Sequence, residues 1–137
     1  MILKAFSIAY RAHYGQKDKA GKNYIWHPVT VAFKTKSRDA FVTALLHDVL
    51  EDSDCKPDDL RDAGIPENII EALLLLTHAK GQDYMEYVKG LKHNPLAREV
   101  KIADLTHNSD LSRLPEVTAK DLRRAAKYKM ALSILEA

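Results

Sequence analysis

Apolar residues recur along nearly the whole chain at intervals of three and four, and nowhere do they alternate over the length of a strand. A polypeptide with that pattern buries its apolar side chains by packing helices, so the fold expected is all-α. Ile2, Phe6, Ala9 and His13 mark a first helix over residues 2–14, closed by Gly15, and Gln16 to Trp26 reads as a lysine-bearing loop. Pro28 suits a helix start, which predicts His27 in extended backbone at its mouth. Ser37 caps a predicted helix over 38–50 with the stripe Val42, Leu45, Leu46, Val49, and shorter helices follow over 57–63 and from Pro66 to Thr77. Asp83 with Glu86 predicts a capping box for a helix to Lys92, Asn94-Pro95 opens one reaching Asn108, and Thr118 caps the last. The sum is one all-α domain over 1–137 with about eight helices.

Composition narrows the class. With 46% hydrophobic residues in 137, the chain can build its own core, and with Lys plus Arg at 21 against Asp plus Glu at 19 its net charge of +2 gives no bulk attraction for nucleic acid. The basic run in the last helix, including Arg123, Arg124 and Lys127, reads as a solvated outer face. Cys55 stands alone and cannot close an intrachain disulfide. The most apolar stretch, Ile69 to Leu76, contains Glu71 and falls well short of the roughly 20 residues of a membrane span. A soluble, cytoplasmic protein is expected, without nucleic-acid or membrane partners. Leu73–Leu76 serves either the core or a surface between copies in a homo-oligomer.

Chemistry concentrates in His47-Asp48-Val49-Leu50-Glu51-Asp52, four ionisable groups set in an apolar helix. Asp48 continues the row of Phe41, Ala44 and Leu45, and a carboxylate withdrawn from water there needs a proton, donors or a cation. A divalent metal on His47 and Asp48 meets that need; a solvated helix end with an interior histidine is the plainer alternative. Lys101, Asp104 and Asn108 share a second helix face, as a surface ion pair or as a metal-binding aspartate with Lys101 and Asn108 beside it for phosphate or sugar oxygens. His27 is the third element. Two imidazoles and two carboxylates form a mixed nitrogen and oxygen set suited to Mn, Fe or Zn.

His27-Pro28, His47-Asp48-x-x-Glu51-Asp52 and Lys101-Ile102-Ala103-Asp104 followed by His107-Asn108 resemble the HD-domain metal-dependent phosphohydrolases, specifically the hydrolase domain of RelA/SpoT-type enzymes and the small alarmone hydrolases. The earlier series Ala12-His13-x-Gly15-Gln16-x-x-Lys19-x-Gly21-x-x-Tyr24-Ile25 extends the match, which spans Ile8 to Leu114. The resemblance implies an all-α HD bundle and a divalent metal, usually Mn²⁺, on His27, His47, Asp48 and Asp104. It also implies hydrolytic removal of the 3′-pyrophosphate of (p)ppGpp, with Glu51 and Asp52 acting on the attacking water. Lys101 and Asn108 match substrate-side or supporting positions, and Lys19 and Lys22 are the loop lysines expected to meet phosphate. Two positions depart from the family pattern: Asp18 precedes Lys19 where arginine is frequent, and Leu105 follows Asp104 where arginine is usual. Hydrolysis of another nucleotide phosphate ester, or a silent nucleotide-binding module, are the competing expectations. The length leaves no room for a synthetase domain, so hydrolysis alone is expected.

Overall fold

A computed structural model describes residues 1–137, and it is helical throughout: α1 (Ile2–Ala12), α2 (Trp26–Phe33), α3 (Arg38–Leu46), α4 (Val49–Asp52), α5 (Pro57–Asp62), α6 (Glu67–Leu76), α7 (Tyr84–Leu91), α8 (Pro95–Asn108) and α9 (Ala119–Glu136). A 3-10 turn, Leu111–Arg113, links α8 to α9, and one isolated bridge, Lys17 to Asn23, is the only β-type pairing. The predicted caps form: Ser37 accepts from the Ala40 amide, Asp83 from Glu86, Asn94 from Ala97, and Thr118 closes a reciprocal box with Asp121. Each ties up backbone donors that a helix start otherwise leaves without partners.

Two local expectations are corrected. The helix predicted over 38–50 breaks at His47-Asp48 into α3 and α4, which raises the count from eight helices to nine. The His47 ring Nδ1 donates to the Ala44 carbonyl at 2.6 Å, and Asp48 leaves helical geometry at φ −103° and ψ −1°. The break turns the His47-Asp48 pair inward as a corner and sets Glu51 in a separate short helix. His27, predicted extended, lies instead in the first turn of α2. Amide bonds from Trp26 to Asn23 and from His27 to Tyr24 wind the chain into the helix early. Pro28 then falls within the first turn, where an absent N–H removes no intrahelical bond.

α3 is the central helix, packing on α1, α2, α6 and α8, while α9 lies across α7 and α8. Its Leu45 and Leu46, with Ile69, Ile70 and Leu73 of α6, Leu91 of α7 and Leu105 of α8, are almost fully buried in one core. The interior row of α1 is Ala5 and Ala9, small residues that bring α1 close, continued by buried His13 at its C-terminal end, whereas Ile2 and Phe6 remain partly exposed. In the Leu73–Leu76 run, Leu73 and Leu76 turn inward and Leu74 and Leu75 face out. No helix is long and apolar enough to cross a membrane. Leu73→Ala removes a side chain with 0% exposure and is expected to lower the unfolding free energy by about 3 kcal/mol, read from the urea midpoint at unchanged slope.

Candidate metal centre and its cavities

Three ligand-type side chains, His27, His47 and Asp104, bring ligand atoms within 4.8 Å of one another, and Asp48 stands at the edge of the group. His27 comes from the first turn of α2, His47 and Asp48 from the α3–α4 corner, and Asp104 from α8. His27 Nε2 lies 2.8 Å and His47 Nε2 3.3 Å from Asp104 Oδ1. Asp48 Oδ2 completes the group at 3.0 Å from His47 Nε2 and 3.8 Å from His27 Nε2. Both histidines and Asp104 are buried; Asp48 is the most exposed member, at 20%.

The ring nitrogens facing away from this point are already engaged. His47 Nδ1 donates to Ala44, and His27 Nδ1 lies 2.8 Å from His107 Nδ1. Burial, then the neighbouring His27 and Arg113, pushes His107 down to about 4, so it is neutral and shares one proton with His27 across the Nδ1 pair. Both Nε2 atoms therefore face carboxylate oxygens: His27 Nε2 is hydrogen-bonded to Asp104 Oδ1 at 2.8 Å, while His47 Nε2, although buried, makes no hydrogen bond. Burial disfavours charge on His47, but Asp48 and Asp104 outweigh it and hold the imidazole well above its ordinary pKa. Burial likewise opposes ionisation of Asp104, and Lys101 and His47 overcome it, keeping that carboxyl well below the usual range. Asp48 is held down at about 2, where His47 outweighs burial. The cluster thus gathers ligand atoms of His27, His47 and Asp104 within 4.8 Å of one another, with the Asp48 carboxylate beside the two imidazoles. That donor set fits a divalent cation, which would supply the positive charge otherwise met by a proton on His47.

Each donor is held from behind. Asp104 Oδ2 accepts from Lys101 Nζ at 3.0 Å, and Oδ1 accepts from Asn108 Nδ2 at 3.1 Å. The Lys101–Asp104 pair is buried rather than superficial, with side-chain exposures of 11% and 6%, and its ammonium sits over the Tyr84 and Tyr87 rings. The Tyr24 hydroxyl donates to Asp48 Oδ2 at 2.5 Å. Burial and the Asp48 charge hold the phenol far above its usual pKa, so it remains a donor. Gln16 accepts from His13 Nδ1 and donates to the Asp52 carbonyl at 2.9 Å, which ties the early loop to α4.

Two cavities meet at the cluster. One, of about 170 Å³, is lined by Asp48, Asp104, Glu51, Lys101, Tyr84 and Tyr87. Glu51 is fixed there by the His78 amide, which donates to Oε1 at 2.8 Å. The other, of about 310 Å³, is lined by Lys17, Asp18, Lys19, His27, Arg113 and Arg124 among others. Tyr24, Asn108 and Tyr128 border both. Of the residues singled out from sequence, Lys19 reaches the larger cavity, while Lys22 is exposed and lines neither. Asp52 lines a separate groove with Ile8, Arg11 and Ala12, and partial burial with the charges of Asp48 and Glu51 pushes it up to about 6. Arg113, Arg124 and Tyr128 were missed. The last two lie four apart on α9, so part of the face read as solvated turns inward; that spacing was the available signal.

No family model matches the chain. It is 31% identical over 147 residues to a GTP pyrophosphokinase of Streptomyces antibioticus, covering 98% of this chain and 17% of the relative. It is 32% identical over 131 residues to a guanosine-3′,5′-bis(diphosphate) 3′-pyrophosphohydrolase of Borreliella burgdorferi, covering 84% and 20%. The chain therefore spans a fifth or less of the length of these relatives. A solved structure of a metazoan SpoT orthologue, described as hydrolysing ppGpp, superposes with a TM-score of 0.74 at 21% identity, covering 98% of this chain and 82% of that one. The fold is shared with that structure, and over nearly its whole length the chain is similar in sequence to one segment of these much longer relatives.

Proposed function

We propose that the chain removes the 3′-pyrophosphate of (p)ppGpp-like guanosine nucleotides by hydrolysis, with a divalent cation, Mn²⁺ foremost, held by His27, His47, Asp48 and Asp104. The observation that carries this reading is the convergence of two imidazole Nε2 atoms and two ionised carboxylates beside a fixed glutamate in the wall of the smaller cavity. A cation in that position supplies Lewis acidity and a more acidic water. The relatives' names support the nucleotide assignment.

The protein's own groups supply the rest. Glu51, held by the His78 amide, takes the proton from the attacking water. The water oxygen forms a bond to the phosphorus nearest the ribose, the bond from that phosphorus to the 3′ oxygen breaks, and the 3′ oxygen takes a proton from solvent and leaves as a hydroxyl, while the proton on Glu51 returns to solvent. Asp52, one residue on, adds negative charge beside Asp48 and Glu51. Lys101 and Asn108 fix Asp104, with Asn108 also facing the larger cavity. Lys19, Arg113 and Arg124 meet the remaining phosphates, and Lys22 contributes only to the loop's general positive charge. The unpaired Cys55 suits a cytoplasmic setting.

The test is pyrophosphate release from ppGpp with Mn²⁺, beside a panel of other nucleoside phosphates. Release of one pyrophosphate per GDP formed is the expected result. A second reading keeps the site and changes the nucleotide. It is favoured by Leu105, which is fully buried in the core and offers no group to a base or phosphate; turnover confined to other nucleotides would select it. Nucleotide binding without turnover would mark a silent module.

A further inference from the structure

The larger cavity carries four cationic side chains and three carboxylates, so it is far closer to neutral than a pocket for a polyphosphate needs to be. The three carboxylates are not equivalent. Asp110 faces solvent, where water screens it, and the half-buried Asp121 carboxylate accepts from the Thr118 amide and hydroxyl at the start of α9. Asp18 is only 14% exposed. Its Oδ1 accepts from the Ala20 and Lys22 amides, each at 2.9 Å, while Oδ2 stands 3.6 Å from Arg113 Nη1. That distance exceeds a hydrogen bond, and Arg113 Nε is buried with no acceptor. The guanidinium is therefore an incompletely satisfied donor on the cavity wall, and of the three carboxylates Asp18 is the one that stands beside it.

We propose that Asp18 sets the charge this cavity accepts, so that the site favours nucleotides with few phosphates at the end remote from the reacting group. The proposal rests on the function given above in one respect, the placing of substrate. The scissile group belongs in the smaller cavity, whose walls hold Asp48, Asp104 and Glu51, and the larger cavity adjoins it across the shared walls Tyr24, Asn108 and Tyr128, which places the 5′ end in the larger one. There, phosphate oxygens and the Asp18 carboxylate compete for Arg113. Each further negative charge gains from Lys19, Arg113 and Arg124 and loses to Asp18.

Asp18→Asn removes the charge and keeps an oxygen for the Ala20 and Lys22 amides. Asp18→Glu keeps the charge and loses the short cap. Affinities of GMP, GDP and GTP are measured by calorimetry on the full chain with one equivalent of Mn²⁺. Asp18→Asn is expected to tighten GTP relative to GMP by about threefold to tenfold per added charge, the range for a partly screened carboxylate a few ångströms away. Asp18→Glu is expected to leave that ratio unchanged. Equal effects of Asn on all three nucleotides, or a ratio that follows Glu as much as Asn, would overturn the proposal and leave Asp18 as a loop cap. Since the readout is binding, turnover of ppGpp with an unmoved ratio sinks this inference alone. A moved ratio without turnover sinks only the hydrolytic reading.

Discussion

Replacing Asp104 with Asn is expected to abolish pyrophosphate release and to weaken Mn²⁺ binding by more than about 100-fold, the upper end of what loss of a merely supporting group costs. The size of the effect follows from what surrounds the carboxylate. Asp104 Oδ1 lies within 3.3 Å of both imidazole Nε2 atoms, so it is the oxygen that both histidines face. Its ionised state is enforced by Lys101, buried behind it at 3.0 Å. An amide at this position keeps an oxygen but removes the charge, and Lys101 then stands buried without a counter-ion. Loss of one partner of a buried pair costs about 3–5 kcal/mol, so the variant is also expected to unfold earlier. Lys101→Met with Asp104→Asn relieves that second penalty without restoring a ligand. Recovery of the unfolding midpoint with no recovery of Mn²⁺ binding separates the two roles.

Glu51→Gln is expected to divide the two functions the other way. Glutamine retains an oxygen for the His78 amide, so the side chain keeps its place, but it has no basicity to offer a water. A fall in kcat by about 10²–10⁴ is expected, with Mn²⁺ affinity within about twofold, since Glu51 is not among the four converging donors. Single-turnover release of pyrophosphate and calorimetric titration of Mn²⁺ check both halves. Unchanged kcat would move the base elsewhere. Asp52 would be the neighbour to test next, although its side chain lines a different groove.

The helices and their caps were legible in the sequence because they depend on neighbours within four residues. Ser37, Asn94 and Thr118 announce helix starts by chemistry that needs nothing from the rest of the chain. The break at His47-Asp48 was not legible by pattern. Apolar spacing runs through it, and the interactions that hold the corner include a ring-to-carbonyl bond and a hydroxyl from Tyr24, 24 positions away. His27 and Asp104 are 77 positions apart, so no periodicity joins them. Only the ordered likeness of motifs to a known family put them at one site, and the fold gives that likeness a geometry. Lys101 shows the opposite lesson. Its spacing to Asp104 was read correctly, but the same spacing describes an exposed ion pair, and the buried setting comes from Tyr84 and Tyr87 on a different helix. Arg124 and Tyr128 were obscured by the excess of surface charge around them on α9.

Crystals grown with Mn²⁺ and measured at the manganese absorption edge test the central claim most directly. The account predicts one strong anomalous peak enclosed by His27, His47, Asp48 and Asp104, and its loss in Asp104→Asn. A peak seated elsewhere, or none at this cluster at saturating Mn²⁺, would contradict it.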